Sequence, residues 1–328
     1  MATSFGDSSV QVYTSIPMSK SSSSTSNTSI PTSPEETSLI PEEISPLDGL
    51  DIVDIQPFDG IGKMRGIVKR KSDKLQKGDS DQQYLIFTHV SVDDLAKIDR
   101  ARNSIGKGIR MTHYTDIDLL IVKLPSAVHE RAHGNLATEM IGKVVLMGIP
   151  PTELDFVGAS RFRGRRSSKE GDSAYRPHSF RPNETDWPTI VIESGISESL
   201  RRLRFDASWW LTESGGDVKI VIIISIQRAK SRLQIEKWEQ APSRRLLPLR
   251  TPNSNNLIRQ LPTKVQEITI VSNTVAGASL RVTGGPFTVT GAPLVLEFDK
   301  IFLRPAVLPE TDLTFNVQDL SAWAARLR

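Results

Sequence analysis

Two groups of side chains in this sequence are of the right kind to do chemistry. The first is Asp172 and Glu193, with Lys169, Glu170 and Glu130 preceding them in the chain. Two carboxylates on adjacent strands can hold one Mg²⁺ or Mn²⁺ through hard oxygen ligands, leaving positions for water and a phosphate. A lysine beside them would orient the attacking water and offset charge building on phosphorus. The plainer alternative is that Asp172 lies in a loop and Glu193 merely ends a strand. The second group is His129-Glu130-Arg131-Ala132-His133, on a predicted helix. At i and i+4 both imidazoles share one face and could bind Zn²⁺, with Glu130 as general base, as in a zinc metallopeptidase. The residues after His133 (Gly-Asn-Leu-Ala-Thr-Glu) carry no further histidine, and a third ligand would have to be Glu153 or Glu170. A chance match is the simpler account.

Basic residues cluster in two places. Arg161, Arg163, Arg165 and Arg166 lie on a strand and the loop after it; Arg201, Arg202 and Arg204 lie in the first half of a helix. Both clusters could contact phosphates, with Arg161, Arg163, Arg165, Arg166, Arg201 and Arg204 as the candidates. For the helix cluster a solvated face is the equal alternative. Trp209 and Trp210 suit a core better than a base-stacking platform.

The elements that would position these groups form an α/β pattern. Thr189-Ile190-Val191-Ile192 is an apolar run ending on Glu193. A helix follows from Ser197 to Glu213, with Leu200, Leu203, Ala207, Trp210 and Leu211 at helical spacing. Gly215-Gly216 stop it, and Val218 to Ile226 is a β-branched run suited to a strand covered on both faces. Strand, helix and strand make a βαβ unit. Ser126 is a natural N-cap for a helix whose Val128, Ala132, Leu136, Met140 and Val144 form one face. Residues 153–164 alternate like a strand, 165–177 read as a polar loop with a short strand around Asp172, and 232–238 should form a hairpin with the β-branched run.

The flanks are less regular. Residues 1–47 are Ser/Thr/Pro-rich and are expected to be disordered, because they cannot bury enough apolar surface to offset their ordering entropy. Within the extension 48–124, residues 63–83 read as a charged, solvated connection, 84–90 as a strand, 90–102 as a helix and 116–125 as a strand. The segment 241–328 reads as a β-rich extension, with strands over 265–271, 278–284 and 293–303 and a closing helix over 319–328.

Composition narrows the class. The 328 residues have a formal charge of +3, which permits a polyanionic partner without demanding one. There is no cysteine, so disulfides and thiolate zinc sites are excluded. No signal-peptide core or membrane-length apolar run is present, and an intracellular protein, cytoplasmic or nuclear and without a membrane partner, is the expectation. Nothing in the sequence sets an oligomeric state.

The order of parts over residues 125–240 resembles the PD-(D/E)xK restriction-endonuclease-like superfamily, and within it the Uma-type endonucleases and their fungal relatives. The residues that carry this are Pro125-Ser126 with His129-Glu130, then Gly171-Asp172, then Val191-Ile192-Glu193-Ser194-Gly195. The resemblance implies a core of helix, three strands, helix and strand. It also implies Asp172 and Glu193 as ligands of Mg²⁺ or Mn²⁺, Glu130 as a third acidic group, and a nucleic-acid phosphodiester as substrate. One departure matters: the superfamily places a lysine two positions after the strand carboxylate, where this chain has Gly195. Arginines on the following helix are ill suited to activating water, since they are effectively never deprotonated. Lys169 is the stand-in for the missing lysine. Three readings follow: a metal-dependent nuclease, a non-catalytic binding protein on the same fold, and, weakest, the zinc peptidase. Carboxylates facing one open cavity would favour the first; buried, salt-bridged ones the second.

Overall fold

The computed structural model describes residues 45–50, 55–158, 160–196, 200–242, 260–273 and 286–327. The stretch expected to be disordered lies outside the described residues up to position 44, as does the strand expected over 278–284.

The β-branched run is the centre of the molecule. It forms β10 (Ile220–Gln227), flanked by β9 (Ile190–Ile196) and β11 (Arg232–Pro242). β10 runs parallel to β9 and antiparallel to β11, as the βαβ and hairpin readings require. Residues alternate between faces of a strand. Ile220, Ile222, Ile224 and Ile226 therefore pack on one side with α3 (Ala127–Leu146) and α6 (Val317–Ala325). Val221 and Ile223 pack on the other with α4 (Leu200–Glu213). The sheet has seven strands in the order β13-β12-β11-β10-β9-β8-β5, where β5 is Leu154–Phe156, β8 Ser173–Pro177, β12 Gln260–Ser272 and β13 Phe287–Thr290.

A second sheet of six strands runs β1-β2-β4-β3-β7-β6. Its strands are β1 (Ile55–Pro57), β2 (Tyr84–Thr88), β3 (Arg110–Tyr114), β4 (Leu119–Lys123), β6 (Arg161–Arg163) and β7 (Ser167–Glu170). One face is covered by α1 (Ile61–Lys77) and α2 (Val92–Ile105). Because β3 pairs with β7, the residues before 125 share a sheet with the segment just upstream of Asp172. A two-stranded piece, β14 (Leu294–Leu296) with β15 (Leu313–Phe315), and α5 (Phe298–Phe302) complete the fold. Among the described residues no helix is long and apolar enough to cross a membrane.

Several expectations are corrected. Residues 63–83 are not a connection: α1 occupies most of them, burying Met64, Val68 and Leu75 on one side while its lysines face water. The spacing of three apolar residues outweighs the charge density. The polar loop over 165–177 is instead β7 and β8, both buried. Their polar side chains can be buried because most find partners, Ser167 with Trp209, Lys169 with Asp206, Glu170 with Arg102 and Ser173 with His133. The single strand expected over 153–164 is split, β5 joining one sheet and β6 the other. Glu193 does not end its strand but sits in the middle of β9. The strand expected over 293–303 is β14 followed by α5, whose Phe298 N–H donates to Asp312.

Ile222 is 0% exposed and paired on both sides. Ile222→Asp would place a charge there without a partner, a defect of several kcal/mol against a typical total of about 5–15. Loss of the cooperative unfolding transition by circular dichroism is the expected outcome.

Candidate functional site

β7 leads into Gly171-Asp172 and then β8, so the chain passes here from one sheet to the other. A Cβ on Gly171 would stand 3.1 Å from the Trp210 ring, so glycine allows this crossing to lie tight against α4. Asp172 and Glu193 consequently come together between the two sheets, at 0% and 1% exposure.

Neither carboxylate is open. Lys123, the last residue of β4, places its Nζ 2.8 Å from Asp172 Oδ2 and 3.6 Å from Glu193 Oε2, and also donates to the Ser194 carbonyl at 2.6 Å. Lys169 lies 3.5 Å from Glu193 Oε1 and 3.0 Å from Asp206 Oδ1. Arg202 closes the group with a 3.0 Å contact to Asp206. The Trp210 indole N–H donates to Glu193 at 2.7 Å, and the Ser194 N–H donates to Asp172 at 2.8 Å. Three cations, Lys123, Lys169 and Arg202, thus face three carboxylates, Asp172, Glu193 and Asp206. All six are nine-tenths or more buried.

The titration of these groups follows from that packing. Burial alone would raise the Asp172 carboxyl, but His129 and Lys123 outweigh it and hold it well below the usual range. Burial would also raise Asp206, yet Arg202 and Lys169 bring it down. Glu193 goes the other way: burial pushes its carboxyl up, Lys169 opposes this, and the Asp172 charge adds to the rise. Burial opposes the Lys169 ammonium, but Asp206 and Glu193 raise it above the ordinary value.

The histidine motif borders this cluster. His129 Nε2 lies 2.9 Å from Asp172 Oδ2, and its Nδ1 lies 3.2 Å from Glu130 Oε1. Burial would lower the His129 pKa, and Asp172 raises it on balance. Glu130 is 43% exposed along its side chain and sits between His129 and His133, so it does not reach into the Asp172–Glu193 group as a third acidic residue would. The proposed outside ligands of a peptidase zinc are elsewhere. Glu170 is bound by Arg102 and Arg161, and Glu153 accepts from Ser179.

The arginines divide sharply. Arg161 is tied to Asp99 and Glu170, and Arg204 makes a two-point contact with Glu236 at 3.0 and 2.5 Å. Arg163, Arg165 and Arg166 are exposed at the turn joining β6 to β7, and Arg201, 73% exposed, pairs with Asp48. Trp209 and Trp210 belong to a buried aromatic cluster with Trp187 and Phe162. Lys123 and Asp206 were not among the residues singled out from the sequence, and Arg202 was read only as part of a basic cluster on the helix. The available signals were a lysine closing the otherwise apolar β4 and an Arg–Asp pair four apart on the face of α4 that carries the tryptophans.

No family model matches the chain, and no curated protein matches it significantly. Among solved structures, it is similar to a putative nuclease belonging to DUF820 from Anabaena variabilis ATCC 29413, at 11% identity and a TM-score of 0.34. That similarity spans 65% of this chain and 90% of the other.

The fit of a divalent ion at Asp172 and Glu193 can be judged from the charges. Lys123 already lies within reach of both carboxylates, and three cations already face the three carboxylates. The residues do not fit a resident Mg²⁺ or Mn²⁺ in this arrangement.

Two outcomes follow. Lys123→Met leaves buried carboxylates without their partner and should cost about 3–5 kcal/mol in denaturant unfolding, with Asp172→Asn on the same chain restoring part of the loss. Burial would raise the Glu236 carboxyl, but Arg204 and Trp238 hold it below its ordinary value of 4.5. Because the folded carboxyl titrates below the unfolded one, its contribution is present above about pH 4.5 and is lost as pH falls through the folded value. The stability gap between wild type and Glu236→Gln, followed by urea unfolding, should therefore shrink on acidification.

Proposed function

We propose that this protein has a restriction-endonuclease-like core and uses it to bind nucleic acid without cleaving it. The observation that carries this reading is the Lys123 ammonium shared between Asp172 and Glu193 in a buried site. The order α3, short strands, β9, α4 and β10 supports the fold assignment. Cleavage in such a core needs carboxylates open to a metal and a phosphate, and here both are closed by lysines. Lys169 pairs with Glu193 and Asp206, so it is a partner in the ion cluster rather than a free group for activating water. Contact with a phosphate backbone falls to Arg163, Arg165 and Arg166, with Arg201 as a further exposed cation. An intracellular setting, cytoplasmic or nuclear, suits a cysteine-free chain of this kind.

One observation favours the alternative, a metal-dependent phosphodiesterase. Asp172 Oδ1 is buried without a hydrogen-bond partner, leaving one carboxylate oxygen for a cation if Lys123 swings away. The experiment separating the two combines binding and cleavage on labelled single-stranded and duplex DNA and RNA, with Mg²⁺ or Mn²⁺. The expected outcome is salt-dependent binding, weakened by replacing Arg163, Arg165 and Arg166 together with alanine, and no cleavage that depends on Glu193. Cleavage by the wild type that Glu193→Ala abolishes would overturn the proposal in favour of the phosphodiesterase.

A further inference from the structure

The His129–Glu130–His133 group has a geometry that neither the ion cluster nor the arginines explain. Its three ligand atoms lie within 4.8 Å of one another. His129 Nδ1 stands 3.2 Å from Glu130 Oε1, and His133 Nε2 stands 3.6 Å from Glu130 Oε2. In a tetrahedral zinc site with bonds of about 2.0–2.1 Å, neighbouring ligand atoms stand roughly 3.3–3.5 Å apart. The two histidine–glutamate separations are within tenths of an ångström of this, each to a different oxygen of Glu130, and all three groups lie within 4.8 Å.

The opposite edge of each ring is already held. His129 Nε2 lies 2.9 Å from Asp172 Oδ2, and His133 Nδ1 lies 2.8 Å from Ser173 Oγ. Metal-binding histidines are oriented in this way, with the second ring nitrogen donating to a carboxylate or another oxygen. With the outer nitrogen donating in each ring, the inward-facing nitrogen has a lone pair for a cation. His133 Nε2 is the independent sign: it is buried, in a residue 5% exposed, and its contact with Glu130 Oε2, at 3.6 Å, is longer than a hydrogen bond. A buried polar atom so weakly satisfied is costly, and a cation held by both it and the neighbouring carboxylate would satisfy it.

We infer that His129 Nδ1, His133 Nε2 and the Glu130 carboxylate bind one zinc-type divalent cation, with Asp172 and Ser173 orienting the two imidazoles. Two imidazoles and one carboxylate suit a borderline first-row ion such as Zn²⁺ better than Mg²⁺, which prefers an all-oxygen set. This differs from the peptidase reading of the same motif, because Glu130 is a ligand here and not a general base. Three protein ligands leave one position on the metal, and the 43% exposure of the Glu130 side chain marks the side on which water or a small anion reaches it. Asp172 then has two roles, pairing with Lys123 inside the ion cluster and fixing His129 for the metal. The site does not depend on whether the protein binds or cleaves nucleic acid.

The test uses the full chain, stripped with a chelator, titrated with Zn²⁺ by calorimetry and with Co²⁺ by visible absorption. One equivalent should bind, Co²⁺ should give the d–d bands of a low-coordinate nitrogen and oxygen site, and Mg²⁺ should not compete. Glu130→Gln, at a part-exposed position that should fold normally, and His133→Ala should each weaken binding at least tenfold. Ser173→Ala touches only the far edge of the His133 ring and should weaken it by about 10-fold or somewhat less, within or below the 10–100-fold range for outer-shell partners. His178→Ala, at an exposed imidazole outside the group, should leave zinc affinity unchanged. The inference is overturned if the wild type binds no zinc at micromolar concentration. It is also overturned if binding survives both Glu130→Gln and His133→Ala, or is lost on replacing the exposed His178 instead.

Discussion

The structure depends on housing three carboxylates in a place water scarcely reaches. Asp172, Glu193 and Asp206 are each at most 1% exposed. An isolated ionised group so buried would lose its hydration with nothing in return, so every one must have a cation at contact distance. Those cations come from three different elements: Lys123 from β4, Lys169 from β7 and Arg202 from α4. The two sheets and the helix between them therefore have to meet in one arrangement. A shift of a few ångströms would leave an ammonium facing apolar side chains and a carboxylate facing nothing.

Other contacts at the same seam are polar as well. Gln83, 0% exposed, donates to the Leu124 carbonyl and accepts from the Ile196 N–H, joining one sheet to the end of β9. Arg202 also donates to the Pro46 carbonyl and lies over the Phe205 ring, which ties in the first described residues. The apolar clusters lie to either side of this seam: Leu85, Met111 and Val122 with α1 and α2, and Ile192, Ile222 and Ile224 with α3 and α6. Burial of those clusters supplies the bulk of the driving force. Hydrophobic contact is non-directional and would tolerate many relative placements of two sheets; a buried ion network tolerates few. Such networks add little net stability, and their effect here is on which packing is allowed.

Asp172 is where this network meets the histidines. One of its oxygens faces Lys123 Nζ, the Ser194 N–H and His129 Nε2 together. The orientation of the His129 ring is thus set by the same contacts that hold the sheets. A lysine that neutralises the acidic pair and a histidine held by that pair are two consequences of one buried carboxylate.

Much of the framework could be read from the chain itself. The alternation and β-branching of Val218–Ile226, the Ser126 cap and the Gly215-Gly216 stop are local signals, because strand burial, capping and chain reversal depend on neighbouring residues. Asp172 and Glu193 stood out for the same reason, each lying beside a short recognisable motif. Lys123 did not. It lies 49 residues before Asp172 and 70 before Glu193, at the end of a strand in the other sheet, and only tertiary packing brings them together. The same holds for β7 and β8. Their sequence, Ser-Ser-Lys-Glu-Gly-Asp-Ser-Ala-Tyr-Arg-Pro, is that of a loop until β3, β9 and α4 supply strand partners and, for Ser167, an indole N–H. Patterns that repeat along the chain specify elements; the charge state of a buried group depends on what the fold places against it, and no local pattern encodes that.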